Sequence, residues 1–357
     1  MKKCLGVLML CIFLLTLGST ASASTRTWIA TSPGDWSVAA NWNGTLTTAD
    51  TARIITGDVT LDSSQTVSVV QMGNTSGPAS NCTLNINSGA DLTVACVATT
   101  TEVFGLARYY GSGSAVTVNH SAGTVKVSNT AGTGELRFIT GSSVTGATVN
   151  YNLSGTGVID TEIFSRGVKL VGTINFNATS GTALIVRNKI NKFGKISEGG
   201  GFNQSQAKLE IGAVDTIAAI TVGDGSNSMD YTVGTGGTLA IDIASASSYD
   251  TVLQYGDICN TAGATLSIDL LGGYTPELGS FFDIWKLNDL SKMGSGIFAV
   301  VPAGFSVAWV DTGSTVEGVT TSDLDGITDT LRVTVIPEPT TIALLGLGLL
   351  AVRRNKK

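Results

Sequence analysis

Charge is scarce in this chain: 13% of its 357 residues are Asp, Glu, Lys or Arg, and it holds one histidine, His120. So few charges exclude a coiled coil or a charged helical repeat, and a lone imidazole excludes a histidine-based metal cluster. Aromatic residues make up 6% and prolines number six, yet 43% of the chain is hydrophobic, which argues against a natively unfolded polymer. The formal net charge of −6 removes the basic footprint that a nucleic-acid partner would require. Between the two ends no stretch keeps a 3.6-residue apolar period, so amphipathic helices are not expected. What the chain has in abundance is glycine, 44 residues of it, spaced between short apolar alternations rich in Thr, Ser and Asn.

The two ends read as addresses. Lys2 and Lys3 precede an apolar run from Leu5 to Gly18, and Ala21-Ser22-Ala23 supplies small residues at the minus-three and minus-one positions of a signal-peptidase site. Residues 1–23 therefore read as a secretory signal peptide with Ala21 and Ala23 at the cleavage site. A transmembrane anchor is the alternative, and the shortness of the run weighs against it.

At the other end Pro337-Glu338-Pro339 interrupts the last strand-like segment, Thr341 to Val352 is apolar, and Arg353, Arg354, Lys356 and Lys357 close the chain. A helix of that length rises about 18 Å against roughly 30 Å of hydrocarbon, which suits transient arrest in a membrane better than a permanent span. Six cations and one acid, Glu338, lie in the two ends, so the body between them is more acidic than the whole chain.

Pro-Glu-Pro-Thr, a Leu/Gly-rich short helix and a terminal basic cluster, in that order, resemble the PEP-CTERM sorting signal of exported bacterial proteins over residues 336–357. The resemblance implies handling by an exosortase, a membrane peptidase, with Pro337, Glu338 and Pro339 as recognition residues. It further implies transient membrane association through the C-terminal helix, a cell-surface or extracellular destination, and a Gram-negative source. Signal peptidase would be the other partner during export.

The body alternates with a period of two in Cys82–Ile86, Leu92–Val94, Val116–Val118, Val125–Val127, Leu239–Ile241 and Leu266–Ile268, each bounded by Gly, Ser, Asn or Asp. That is the pattern of half-buried strands joined by tight turns, and the fold class expected is all-β. A repeat lies within it: the segment from Thr66 aligns with the segment from Thr216, so that Gly73 matches Gly223, Gly89 matches Gly236, and Leu92 and Val94 match Leu239 and Ile241.

Such punctuation suits a β-solenoid, or β-helix-like body, over residues 24–258. Thr27-Trp28, Gly34-Asp35-Trp36-Ser37 and Asn41-Trp42 resemble the opening motif of passenger-like solenoid regions of secreted bacterial proteins. Beyond Cys259 longer apolar strands appear, and residues 259–335 read as a C-terminal β-rich cap covering the last coil.

Candidate chemistry is thin. His120 ends a strand and reads as a solvated turn residue, with no Gly-x-Ser-x-Gly elbow to pair with. Asp160 and Glu162 lie two apart, so a strand would set them on one face about 7 Å from each other, within the range of an inverting glycosidase; ordinary outward-facing acids are the plainer reading. Arg187, Lys189, Lys192 and Lys195, with Arg166 and Lys169 nearby, form a basic cluster that reads either as a solvated face or as a strip holding an anionic polymer.

Asp323, Asp325 and Asp329 surround a glycine turn and offer hard oxygen ligands for calcium. They lack a full EF-hand series, and a polar hairpin is the plainer reading, so no cofactor is expected. Trp28, Trp36 and Trp42 would cap the first coil or, if exposed and coplanar, stack on sugars. Cys82 and Cys96 share the buried parity, and a hairpin about Gly89 would let them form a disulfide, whereas a parallel coil would keep them apart.

The expectation from sequence is an exported, non-enzymatic surface or matrix protein, structural or adhesive, associated with extracellular polysaccharide or biofilm. The alternatives are a polysaccharide lyase or glycoside hydrolase on the same scaffold, and a carbohydrate-binding module.

Overall fold

In the strand Asn81–Ile86 the side chains of Cys82, Leu84 and Ile86 are buried while Asn81, Thr83 and Asn85 face outward. Ala115–His120 and Thr148–Leu153 repeat that alternation. One sheet face is therefore dictated by the sequence to be apolar and the other polar. A computed structural model describes residues 23–31, 33–74, 81–87, 89–98, 102–109, 114–138, 147–166, 173–179, 181–191, 202–204, 207–212, 215–223, 231–255, 258–287, 293–296, 298–312, 315–316, 319–320 and 329–337.

Strands join in parallel into three ladders, and the chain visits them in rotation. The first ladder is a six-stranded sheet of Gly34–Asp35, Gly57–Leu61, Asn81–Ile86, Ala115–His120, Thr148–Leu153 and Thr173–Ala178. The second runs through Gln65–Val67, Leu92–Cys96, Thr124–Asn129, Val158–Arg166, Ala183–Asn191, Lys208–Ile211, Thr238–Ser245 and Thr265–Leu270.

The third takes Thr25–Thr27, Thr51–Ile54, Val69–Asn74, Glu102–Tyr109 and Glu135–Phe138. It continues through the second halves of Val158–Arg166 and Ala183–Asn191 to Ala219–Val222, Thr251–Gln254 and Phe281–Leu287. Further along, Phe202–Gln204, Tyr231–Val233, Ile258–Asn260 and Met293–Ser295 form a four-stranded parallel sheet that takes the first ladder's turn in the rotation. The protein is all-β with many-stranded parallel sheets; among the described residues there is no α-helix, only the 3-10 turns Ala39–Asn41 and Leu271–Gly273.

Parallel neighbours bury one face against the interior, where Leu84, Val118 and Tyr151 of the first ladder meet Val94, Val127 and Ile159 of the second and Phe104, Phe138 and Phe164 of the third. Burying side chains of this size contributes about 1.5–3 kcal/mol each. Phe138 lies edge-on to Phe164 at 5.2 Å between ring centres. Glycine turns the corner between ladders: Gly123, at φ +76°, sits where a Cβ would collide with the carbonyl of Ala90, and Gly155, at φ +59°, repeats this against Ser121. Only glycine satisfies both the backbone angle and the close approach.

The aligned repeat falls on equivalent positions. Gly73, near the end of Val69–Asn74, and Gly223, just after Ala219–Val222, both take positive φ on the third ladder, and Leu92, Val94, Leu239 and Ile241 are buried in second-ladder strands. The boundary read at 258/259 lies inside Ile258–Asn260, which pairs in parallel on both sides. Thr330–Val335 pairs antiparallel with Phe281–Leu287 and with Phe305–Val310, covering the last edge of the third ladder. Among the described residues no helix is long and apolar enough to cross a membrane. The apolar stretch at 341–352 and almost all of residues 1–23, including Ala21, lie outside the described residues, while Ala23 is described and exposed.

Candidate functional site

The sorting residues follow directly from the last strand. Ile336 donates its N–H to the carbonyl of Gly304 at 2.9 Å, which is the final rung of pairing after Thr330–Val335. Pro337 has no N–H to continue the ladder, so the chain leaves the sheet there and Pro337 is exposed. Glu338 and Pro339 lie outside the described residues.

The carboxylates with catalytic spacing are each engaged elsewhere. Asp160 is 8% exposed and accepts a hydrogen bond from Arg187 Nη2 at 2.5 Å. Glu162 Oε2 accepts the backbone N–H groups of Asn129, at 3.2 Å, and of Gly134. The ladder is irregular between Thr161 and Ile163, and the two acids meet different partners across it. Arg187 thus belongs to an ion pair with Asp160; Lys189 sits farther along the same strand, and Lys192 and Lys195 lie outside the described residues. A similar ion-pair rung stands on the third ladder, where Arg137 reaches Glu102 at 3.4 Å and also pairs with Glu135.

His120 corrects its reading as a solvated turn residue. It is fully buried, with Nδ1 3.1 Å from the Tyr151 hydroxyl and Nε2 2.8 Å from the Gly123 carbonyl. Burial holds its pKa below the ordinary 6.5, although nearby backbone carbonyls partly oppose this. The inward parity shared with Val116 and Val118 was the signal for a core position, and the Ser121-Ala122-Gly123 turn that follows concealed it.

Trp28, Trp36 and Trp42 are 3%, 1% and 3% exposed. Trp42 lies edge-on to Trp28 at 5.2 Å and to Trp36 at 5.1 Å, and its Nε1 donates to the Trp36 carbonyl at 2.8 Å. The rings fill the start of the interior and offer no open stacking platform. Cys82 and Cys96 are both buried, the first on the first ladder and the second on the second, and no disulfide joins them. Asp329 is buried at the start of the last strand, where its Oδ1 accepts the Thr330 hydroxyl at 2.8 Å; Asp323 and Asp325 lie outside the described residues. Among the described residues no three His, Cys, Asp or Glu side chains stand where they would hold a metal ion.

Two features were not anticipated. The first is an acidic group around Asp242 of the second ladder, joined by Asp250, which lies just before the third-ladder strand Thr251–Gln254 and whose Oδ2 accepts the Asp242 N–H at 2.8 Å. Burial, reinforced by Glu210, Asp269 and Asp215, pushes Asp242 up to about 6, and its Oδ2 has no hydrogen-bond partner. Burial likewise pushes Asp250 up to about 7, against the pull of the Asp242 and Ala218 N–H groups.

The second is an asparagine ladder on the outward face of the first ladder. Asn119 Nδ2 donates to Asn85 Oδ1 at 2.8 Å, Asn152 to Asn119 at 2.8 Å, and Asn177 to Asn152 at 2.9 Å. A parallel column holds Asn175 donating to Asn150 at 2.8 Å, with Asn150 3.5 Å from the Thr117 hydroxyl. The sequence carries the signal as a polar–apolar–Asn triplet: Thr83-Leu84-Asn85, Thr117-Val118-Asn119, Asn150-Tyr151-Asn152 and Asn175-Phe176-Asn177. Separations of 34, 33 and 25 residues between rungs hide it from a fixed-period search.

No curated protein matches the chain closely enough to count as a relative. The family model of the PEP-CTERM protein-sorting motif matches residues 335–357, which takes in Pro337, Glu338, Pro339 and the terminal basic cluster. The match covers the tail alone. The chain therefore carries a PEP-CTERM sorting signal at its C-terminus, which implies handling by an exosortase and export to the cell surface or the extracellular space.

Proposed function

We infer that this exported chain is a non-enzymatic structural or adhesive protein of a Gram-negative cell surface or matrix, associated with extracellular polysaccharide, whose body is a β-solenoid. The observation that carries the reading is the rotation of the chain through three parallel ladders around one apolar interior, delivered outside the cell by the C-terminal motif. Stacked coils of this kind make a stiff rod with long lateral faces, which suits spacing and lateral contact.

The engagement of candidate reactive groups supports it. Asp160 is held by Arg187, Glu162 by two backbone N–H groups, and His120 lies neutral in the core. A general acid or base needs a proton path to substrate, and the bonds that these side chains make go to the fold. The reading needs no cofactor.

The test compares a strain lacking the chain with its parent, measuring surface attachment and matrix mass, while the purified protein is incubated with the strain's own polysaccharide and assayed for new reducing ends. Reduced attachment with no reducing ends is the expected result. Release of reducing ends, or unchanged attachment and matrix mass, would overturn it.

A further inference from the structure

We propose that the outward face of the last four strands of the six-stranded sheet is a binding surface for an uncharged, hydroxyl-rich polysaccharide. The proposal rests on the matrix reading for its setting and goes beyond it by naming the face and the chemical class of the polymer.

Eight outward positions on four successive strands define the face: Thr83 and Asn85, Thr117 and Asn119, Asn150 and Asn152, Asn175 and Asn177. None of the eight is ionisable, on a chain whose formal net charge is −6; the acids of this sheet lie beyond them on its first two strands, Asp58 in register with Thr83 and Asp35 in register with Thr60. Neighbouring rungs lie about 4.8 Å apart, and the two columns roughly 6.6 Å apart along each strand. The result is a flat, regular array of amides and hydroxyls with its own internal bonds already made.

Those bonds decide what is left for a partner. Asn119 and Asn152 each use one N–H and accept one bond at Oδ1 within the ladder. A carboxamide has two N–H donors and two acceptor lone pairs, so each retains one of both for the outside. The ladder fixes the orientation of these groups in advance, which lowers the ordering cost of binding. Sugar hydroxyls both donate and accept, and a polymer of them repeats the interaction from rung to rung, so that weak contacts add along one chain.

Other partners fit less well. An anionic polymer or nucleic acid needs cations, and the two columns supply none. A protein interface needs buried aromatic or aliphatic anchors, and the columns supply only small polar groups. A lipid surface needs an apolar or basic face.

The test is affinity electrophoresis of the purified exported chain in gels containing dextran or hydroxyethyl cellulose, with alginate as the anionic probe. Retardation by at least one neutral polymer, unaffected by added salt, and none by alginate is expected. Thr117→Glu places a charge in the middle of the face and is expected to weaken binding about tenfold or more. Thr93→Glu, on the outward side of the second ladder beside Lys126 in register, is expected to leave binding unchanged.

Should Thr117→Glu lower the melting temperature substantially, Asn175→Ala at the exposed end of the array serves in its place, with about threefold weaker binding expected. Passage of the parent chain through every neutral gel without retardation, stronger retention by alginate, or equal loss in the two Glu variants would overturn the proposal. None of these results bears on attachment by the intact strain, so failure of this face and failure of the matrix role are read separately.

Discussion

Asp50 and Asp250 occupy the same structural position, 200 residues apart, and their pKa values are shifted in opposite directions. Asp50 Oδ1 accepts the N–H of Ser24 at 2.8 Å while Thr51 donates its N–H back to the Ser24 carbonyl at 2.9 Å. Asp250 Oδ1 accepts the N–H of Ala218 at 2.7 Å while Thr251 donates to the Ala218 carbonyl at 3.0 Å. Each Asp-Thr pair clamps a third-ladder strand to its predecessor. Burial raises both acids, but Ser24, Thr47 and Arg26 bring Asp50 below its ordinary value, whereas Asp242 and Glu210 add to the rise at Asp250.

The pH dependence of stability follows from that contrast. Asp242, raised from 3.8 to about 6, keeps a proton in the fold that the unfolded chain has lost, so its contribution to stability falls as pH rises from about 4 to about 6. Asp242→Asn removes this fall, and its melting temperature is expected to gain on the parent's steadily across that window. His120 works in the opposite sense, losing stability below 6.5, and cancels in the difference between the two proteins. A gap in melting temperature that stays constant with pH would refute the assignment.

Asp50 carries the opposite sign. Its lowered pKa gives stability that is present at neutral pH and lost as pH falls through the folded-state value. Asp50→Asn is expected to cost about 1–2 kcal/mol near neutrality and progressively less in acid, measured by urea unfolding at a series of pH values.

Asn119 donates to Asn85 and accepts from Asn152, so Asn119→Ala breaks two rungs at once. The expected loss is about 1–2 kcal/mol in chemical denaturation. Asn177→Ala removes a single terminal rung and is expected to cost about half as much.

At the start of the interior, Trp36→Ala takes from Trp42 one of its two edge-on neighbours and opens a cavity in a fully buried site. A loss of about 3–5 kcal/mol is expected from thermal or urea unfolding, with little change in the strand signal of the remaining folded protein. Trp36→Phe, which keeps most of the volume, is expected to recover most of that loss.

Arg187→Ala leaves the Asp160 carboxylate buried without its partner, at an expected cost of about 1–3 kcal/mol. The double variant Asp160→Asn/Arg187→Ala should be more stable than Arg187→Ala alone, because the stranded charge is gone. A double-mutant cycle with no coupling between the positions would show that the pair is ornamental.

By itself the sequence determined the strands, the corners and the address. Alternation of period two needs only neighbouring residues, so Cys82–Ile86 and Val116–Val118 were legible as strands, and Pro337-Glu338-Pro339 with the basic terminus was legible as a sorting signal. Which strand lies on which was decided by the tertiary structure. Rungs 34, 33 and 25 residues apart in the chain become adjacent only when each coil has closed, and loops of unequal length erase any fixed period. The same closure buried His120, separated Cys82 from Cys96 onto two ladders, and gave Asp160 its arginine. Local pattern sets which way a side chain points; what it meets there depends on contacts whose entropy cost is met only when the whole stack forms.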